Sequence, residues 1–151
     1  MIRESIASAL KDAMKARDSD RVAALRLVQA ALKNRDIDAR TGGAPADDDV
    51  LVVEVLQKMT KQRRESIQLF EQGGRPELAA RERFELSTIE AFLPKGMDED
   101  EARAAIRALV AEAGATGPKD MGAVMALVKA RLAGRIDMGQ ASALVRAALA
   151  G

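Results

Sequence analysis

Apolar residues in this chain recur at steps of three and four, and the recurrence is broken at one polar stretch around Asp18 and at a few glycine- and proline-bearing points. That period lays one apolar stripe along a helix and suits no strand, whose side chains alternate at a period of two. Ile2, Ile6, Ala9, Leu10, Ala13 and Met14 mark a first helix, and Val22, Leu25, Val28 and Leu32 a second that reaches towards Ile37. Asp18 or Ser19 is placed to cap the second. The stretch from Thr41 to Pro45 then breaks the pattern. Alanine, leucine, arginine, glutamate and lysine fill the remaining positions, and β-branched and aromatic residues are sparse, so local propensity also favours helix.

The other breaks divide the chain further. Asp47, Asp48 and Asp49 put negative charge at a helix start, ahead of a long run carrying Val52, Val55, Leu56, Met59, Arg63, Ile67 and Phe70 on one face. Gly73 and Gly74 end it. Pro76 opens the next helix, whose Leu78, Glu82, Leu86, Ile89, Phe92 and Leu93 keep the spacing until Pro94, so the two helices are expected to form a long antiparallel hairpin. Asp98 and Glu101 make a capping box for a helix that ends at Gly114. Gly117 and Pro118 restart the chain, Met121, Val124, Met125, Val128 and Leu132 form a stripe ending at Gly134, and Asp137 with Gln140 opens a last helix through Leu144, Val145 and Leu149. The prediction is an all-α protein: an N-terminal helical bundle with a long hairpin over residues 1–94, and a compact three-helix C-terminal domain over residues 95–151.

Several chemistries are excluded by residue type. The 151 residues include no histidine and no cysteine, which removes disulfides, thiol nucleophiles, common zinc sites and imidazole acid-base catalysis together. Ser5, Ser8, Ser66, Ser87 and Ser142 sit in helical patterns without the setting of an exposed nucleophile. Neither glycine pair precedes the Lys-Ser/Thr of a phosphate loop, and the acidic clusters fall at helix starts, where capping accounts for them. No catalytic residue, metal or cofactor is therefore expected. Charged residues interrupt the N-terminus and no apolar run reaches membrane-spanning length, so the reading is a soluble, cytoplasmic protein.

Formal charge nearly cancels, at +1, but it is unevenly placed. From Gly114 onward Lys119, Lys129, Arg131, Arg135 and Arg146 oppose only Asp120 and Asp137, a net +3. These five are the candidate contacts to an RNA backbone. Lys58, Lys61 and Arg64 form a secondary basic patch, while Arg75, Arg81 and Arg83, alternating with Glu77, Glu82 and Glu85, read as surface ion pairs. With Phe70, Phe84 and Phe92 the only aromatic residues, a base-stacking platform is disfavoured, and a nucleic-acid partner would be a shaped, largely double-stranded RNA, not DNA.

Taken together, the run from Asp12 to Arg21 (DAMKARDSDR), Leu25-Arg26, Ala30 to Asn34 (AALKN), Arg64 to Ile67 (RESI) with Phe70, Glu90 to Lys95 (EAFLPK), Lys119 to Gly122 (KDMG) with Val124-Met125, and Gly134-Arg135 followed by Asp137 resemble the GatB/YqeY family in its free-standing form. The resemblance covers nearly the whole chain. It implies an all-helical fold related to the tRNA-binding tail of the GatB subunit of glutamine-dependent aminoacyl-tRNA amidotransferase, a carbon-nitrogen ligase that uses glutamine as amido-N-donor and keeps its chemistry in other domains. The implied role is non-catalytic and tRNA-associated, with weak binding of structured RNA and docking to amidotransferase or other translation proteins. On that resemblance Lys119, Lys129, Arg131 and Arg135 are the candidate backbone contacts, Gly122 allows close helix packing or close approach of a partner, Gly134 allows a left-handed helix end, and Asp137 and Pro94 are structural. The alternative is a helical protein-protein interaction adaptor with no RNA role, using apolar residues beside the Thr41 to Ala46 loop or along the hairpin.

Overall fold

In the computed structural model, which describes residues 1–150, seven α-helices and one 3-10 turn account for the secondary structure of those residues, with no strand among them. They form two compact units, one from Met1 to Leu93 and one from Pro94 onward. No helix among the described residues is long and apolar enough to cross a membrane.

In the first unit, α1 (Ile2–Lys15) buries Ile6 and Ala13 and leans Ile2, Ala9 and Leu10 against the same core. Met14 does not belong to that stripe: it is 51% exposed, because its position turns away from the row that Ile6 and Ala13 define. The chain turns at Arg17, whose φ of +57° is left-handed, and Asp18 then caps α2 (Ser19–Ala39) by accepting from the Arg21 backbone N–H at 3.2 Å. The buried row of α2 is Ala24, Leu25, Val28 and Leu32, and it stops there; Ile37 is 45% exposed near the end of the helix.

Asp47 caps α3 (Asp48–Gln72), accepting from the Asp49 N–H at 2.9 Å. The first half of α3 is buried over a broad arc, Leu51, Val52, Val53, Val55, Leu56, Met59 and Thr60, because it packs against α1 and α2 as well as α4 (Pro76–Glu90). Gly74, at φ +69°, makes the tight return into α4, whose first residue is Pro76. The pairing is antiparallel: Glu71 meets Arg83 nearer the turn and Arg64 meets Glu90 farther from it, with Arg63 against Glu85 between the helices. Arg75 pairs with Glu77 and Arg81 with Glu85 within the expected surface set, but Arg83 reaches across to Glu71 instead. Glu82 is half-buried, and burial, followed by repulsion from Glu85, pushes its carboxyl above the ordinary range.

Arg3 ties three helices together. Its guanidinium takes Asp36 of α2 in a fork, at 2.9 and 3.0 Å, and Asp48 of α3 at 2.9 and 3.1 Å. Hydrogen bonding from Arg3 holds the Asp48 carboxyl below its usual range. Because the folded value is depressed, the resulting stability is present above the ordinary carboxylate range and is lost as pH falls through the depressed value. Arg3→Met should therefore cost about 1–2 kcal/mol at neutral pH, a figure kept small by the partial exposure of all three groups. In urea titrations the gap between wild type and variant should narrow as pH falls below the ordinary carboxylate range; a gap independent of pH would remove the Asp48 contribution.

The second unit has α5 (Glu99–Glu112), α6 (Met121–Leu132) and α7 (Met138–Ala150) around one core. Ile106, Val124, Val128 and Val145 are its largest fully buried side chains. Asp98 and Glu101 form the anticipated capping box, with Asp98 accepting from the Glu101 N–H at 2.8 Å and the Glu101 carboxylate accepting from the Asp98 N–H at 3.2 Å.

Candidate functional site

Each of the five C-terminal cations is positioned by its local chain. Lys119 is exposed in the 3-10 turn Pro118–Asp120, which precedes α6. That turn is held by the Asp120 carboxylate, which accepts from the backbone N–H of Thr116 at 2.8 Å and of Gly117 at 3.2 Å. These two bonds, led by the one from Thr116, keep the Asp120 carboxyl below its usual range. The neighbouring Lys119 adds a weaker attraction to the same carboxylate, without a direct ion pair among the described residues.

Lys129 and Arg131 fall in the last turn of α6, where cations suit the carbonyl end of the helix dipole. Two residues on a helix are about 200° apart, so the pair flanks the buried row Val124, Val128 and Leu132 on opposite sides. Arg131 forks onto Glu112 of α5 with bonds of 2.9 and 2.5 Å, both side chains about half-exposed. Arg135 lies in the connection to α7 and is turned back: its Nε donates to the Lys95 carbonyl at 3.2 Å, and its own carbonyl accepts from the Met97 N–H at 2.9 Å. Arg146 stands exposed on α7, one position beyond the buried Val145.

The five are therefore spread over the unit. Arg131 lies about 15 Å along α6 from Met121 at 1.5 Å per residue, with Lys119 beyond the opposite end of the helix; Arg131 is paired with an acid and Arg135 is tied to backbone. Counting from Pro94 to the end, eight Lys and Arg meet seven Asp and Glu, so placement and not net charge distinguishes this unit.

The structural residues resolve individually. Gly134 has a φ of +80°, the left-handed conformation a glycine supplies at least cost. Asp137 accepts from the Gln140 N–H at 3.0 Å at the start of α7. Gly122 is exposed on α6, and a Cβ there would meet nothing within 4 Å, so close packing against a neighbouring helix of the unit is not its role. Pro94 lies just past the α4 end in the irregular stretch before α5.

On α3, Lys58 and Lys61 are exposed, whereas Arg64 is engaged by Glu90 at 2.5 Å. Arg63 turns inward and lies 3.4 Å from Glu85, both largely buried, and its Nε has no hydrogen-bond partner. The Asp47 to Asp49 carboxylates are committed to the Asp49 N–H, to Arg3 and to the Ile2 N–H respectively. Two of the serine hydroxyls, Ser5 and Ser87, donate to backbone carbonyls one turn back, at 3.1 and 2.9 Å.

A groove escaped the sequence reading. Between α5 and α7, Leu144, Ala147 and Ala148 form a small apolar surface above the buried Ile106, edged by Arg103 and Arg107. The available signal was the four-residue spacing of the two arginines, which places them on one helix face; counting tail charge only from Gly114 left them out.

A family model described as Yqey-like protein matches residues 3–149. The chain is 37% identical over 84 residues to the Eremothecium gossypii protein named Altered inheritance of mitochondria protein 41, mitochondrial, an alignment covering 56% of this chain and 44% of that protein. It is 30% identical over 86 residues to an uncharacterized protein of Schizosaccharomyces pombe, covering 57% and 67% of the two. The chain thus spans less than half the length of the Eremothecium relative.

Proposed function

Because the chain belongs to the YqeY-like family, we propose that it is a non-catalytic helical module whose C-terminal unit docks on the backbone of structured RNA, tRNA being the class towards which the family resemblance points. The observation that carries this reading is the division of labour among charges. Asp98, Asp120 and Asp137 accept backbone N–H groups at the starts of their segments, while Lys119 and Arg146 are exposed to solvent. Phosphates can meet those two cations without first separating an ion pair. At Arg131 a phosphate would have to displace Glu112, and for a half-exposed pair that costs little. Backbone contact of this kind needs placed cations and no base-reading surface. The proposed compartment is the cytoplasm, and the proposed protein partners are amidotransferase or other translation components.

Titration of the full chain with tRNA at two salt concentrations tests the reading. Lys119→Glu combined with Arg146→Glu should weaken binding by about tenfold and lower the salt slope by roughly one for each lost contact. Wild-type protein that leaves tRNA unshifted at low salt would sink it.

The alternative adaptor reading is favoured by a different observation on the first unit, where Leu69, Leu27, Ile37 and Phe84 are 67, 45, 45 and 40% exposed. Ile37 lies near the Thr41 loop, and Leu69 and Phe84 lie on the hairpin. Partners that stay bound after nuclease treatment would support it; partners lost on RNA digestion would count against it.

A further inference from the structure

The α5–α7 groove brings apolar and cationic side chains together. One side is formed by Arg103, Ile106 and Arg107 of α5, the other by Leu144, Ala147 and Ala148 of α7. Every charged side chain lining it is an arginine. Arg103 and Arg107 are one helical turn apart, so their guanidinium groups lie along the same edge. Arg107 makes no ion pair among the described residues; its Nε is 3.4 Å from the Arg103 carbonyl. Arg103 meets only Glu99, at 2.5 Å, with both side chains more than half-exposed, an exchangeable contact. The α7 side carries no charge, and Ala147 is exposed, so a partner backbone can approach it closely.

From this pattern we propose that the groove seats an amphipathic helix of a partner protein, its apolar face against Leu144, Ala147 and Ala148 of α7 and two carboxylates one turn apart on Arg103 and Arg107. Two adjacent helices make a trough that a third helix fills with residues at i, i+3 or i+4, and i+7. The arginine edge supplies charge complementarity and fixes the orientation of the incoming helix. An RNA backbone would answer the arginines but leave the apolar surface uncovered, and this surface distinguishes the groove from the exposed cations at Lys119 and Arg146.

The test uses the full chain and a synthetic helical peptide with leucines at that spacing and two glutamates one turn apart beside them. The control peptide carries lysines in place of the glutamates. The acidic peptide should bind, with amide shifts confined to α5 and α7 around Ile106, Leu144 and Ala147, and the control should bind at least about tenfold more weakly. Arg103→Glu with Arg107→Glu should reverse that preference. Ala147→Glu, an exposed helical position that leaves both arginines in place, should weaken the acidic peptide while the fold is unchanged by circular dichroism. Equal binding of the two peptides, shifts elsewhere on the chain, or groove shifts produced by duplex RNA and not by the peptide would each overturn the proposal.

Discussion

Val128→Asp is expected to unfold the C-terminal unit. Val128 is fully buried on α6, and its core neighbours are apolar: Ala102, Ile106, Leu109, Val124, Leu132, Ile136, Ala141, Val145 and Leu149 share the cluster. A carboxylate placed there has no cation or donor within the cluster, so it must either remain charged in an apolar interior or take up a proton, and both options cost several kcal/mol. A unit of 58 residues has little stability in reserve. Loss of the Ile106, Val128 and Val145 amide cross-peaks from their folded positions, together with a drop in helical circular dichroism, is the expected record. Ala126→Asp, on the exposed side of the same helix, should keep the fold. If both variants stay folded, α6 does not bury the row assigned to it.

In the first unit, Leu25→Ala should produce a large loss of stability for a single side-chain truncation. Leu25 has no exposure and lies in α2 among Ile6, Val28, Val52, Leu56 and Ile89. Removing a buried leucine side chain beyond Cβ forfeits its transfer energy and leaves a cavity, together about 2–5 kcal/mol. With a urea m-value of about 2 kcal/mol per molar, the midpoint should fall by about 1–2.5 M. Leu27→Ala provides the contrast: that residue is 45% exposed, two positions along the same helix, and its truncation should change stability by no more than about 0.5 kcal/mol. Equal effects at positions 25 and 27 would contradict the orientation of α2.

The helical pattern was legible because it is a local property. The capping at Asp18, Asp98 and Asp137, the glycine stop before Pro76 and the buried rows through Leu25 and Val128 all follow from spacing within one helix and the groups at its ends. Arg63 and Glu82, charged residues placed on apolar faces by spacing, are indeed largely buried and half-buried respectively in the hairpin. Met14 and Ile37 show where the same reasoning overreaches, since at the edge of an apolar stripe only the packing of neighbours decides burial.

The candidate site was less legible, because its geometry depends on contacts distant in sequence. Nothing in the spacing of Arg131 identifies Glu112 as its partner, or Lys95 as the acceptor for Arg135. The α5–α7 groove likewise exists only once two helices separated by a third are brought side by side. One part of the arrangement was available earlier: Lys129 and Arg131, two residues apart on a helix, cannot share a face.

Gly122 offers practical access to this surface. It is solvent-facing on α6, three residues from Lys119, with open space where a side chain would begin, and the chain has no cysteine of its own. Gly122→Cys therefore installs a single thiol to which a spin label, fluorophore or photo-crosslinker can be attached site-selectively. Whatever approaches the Lys119 end of the helix would report itself on that tag, whether nucleotide or polypeptide.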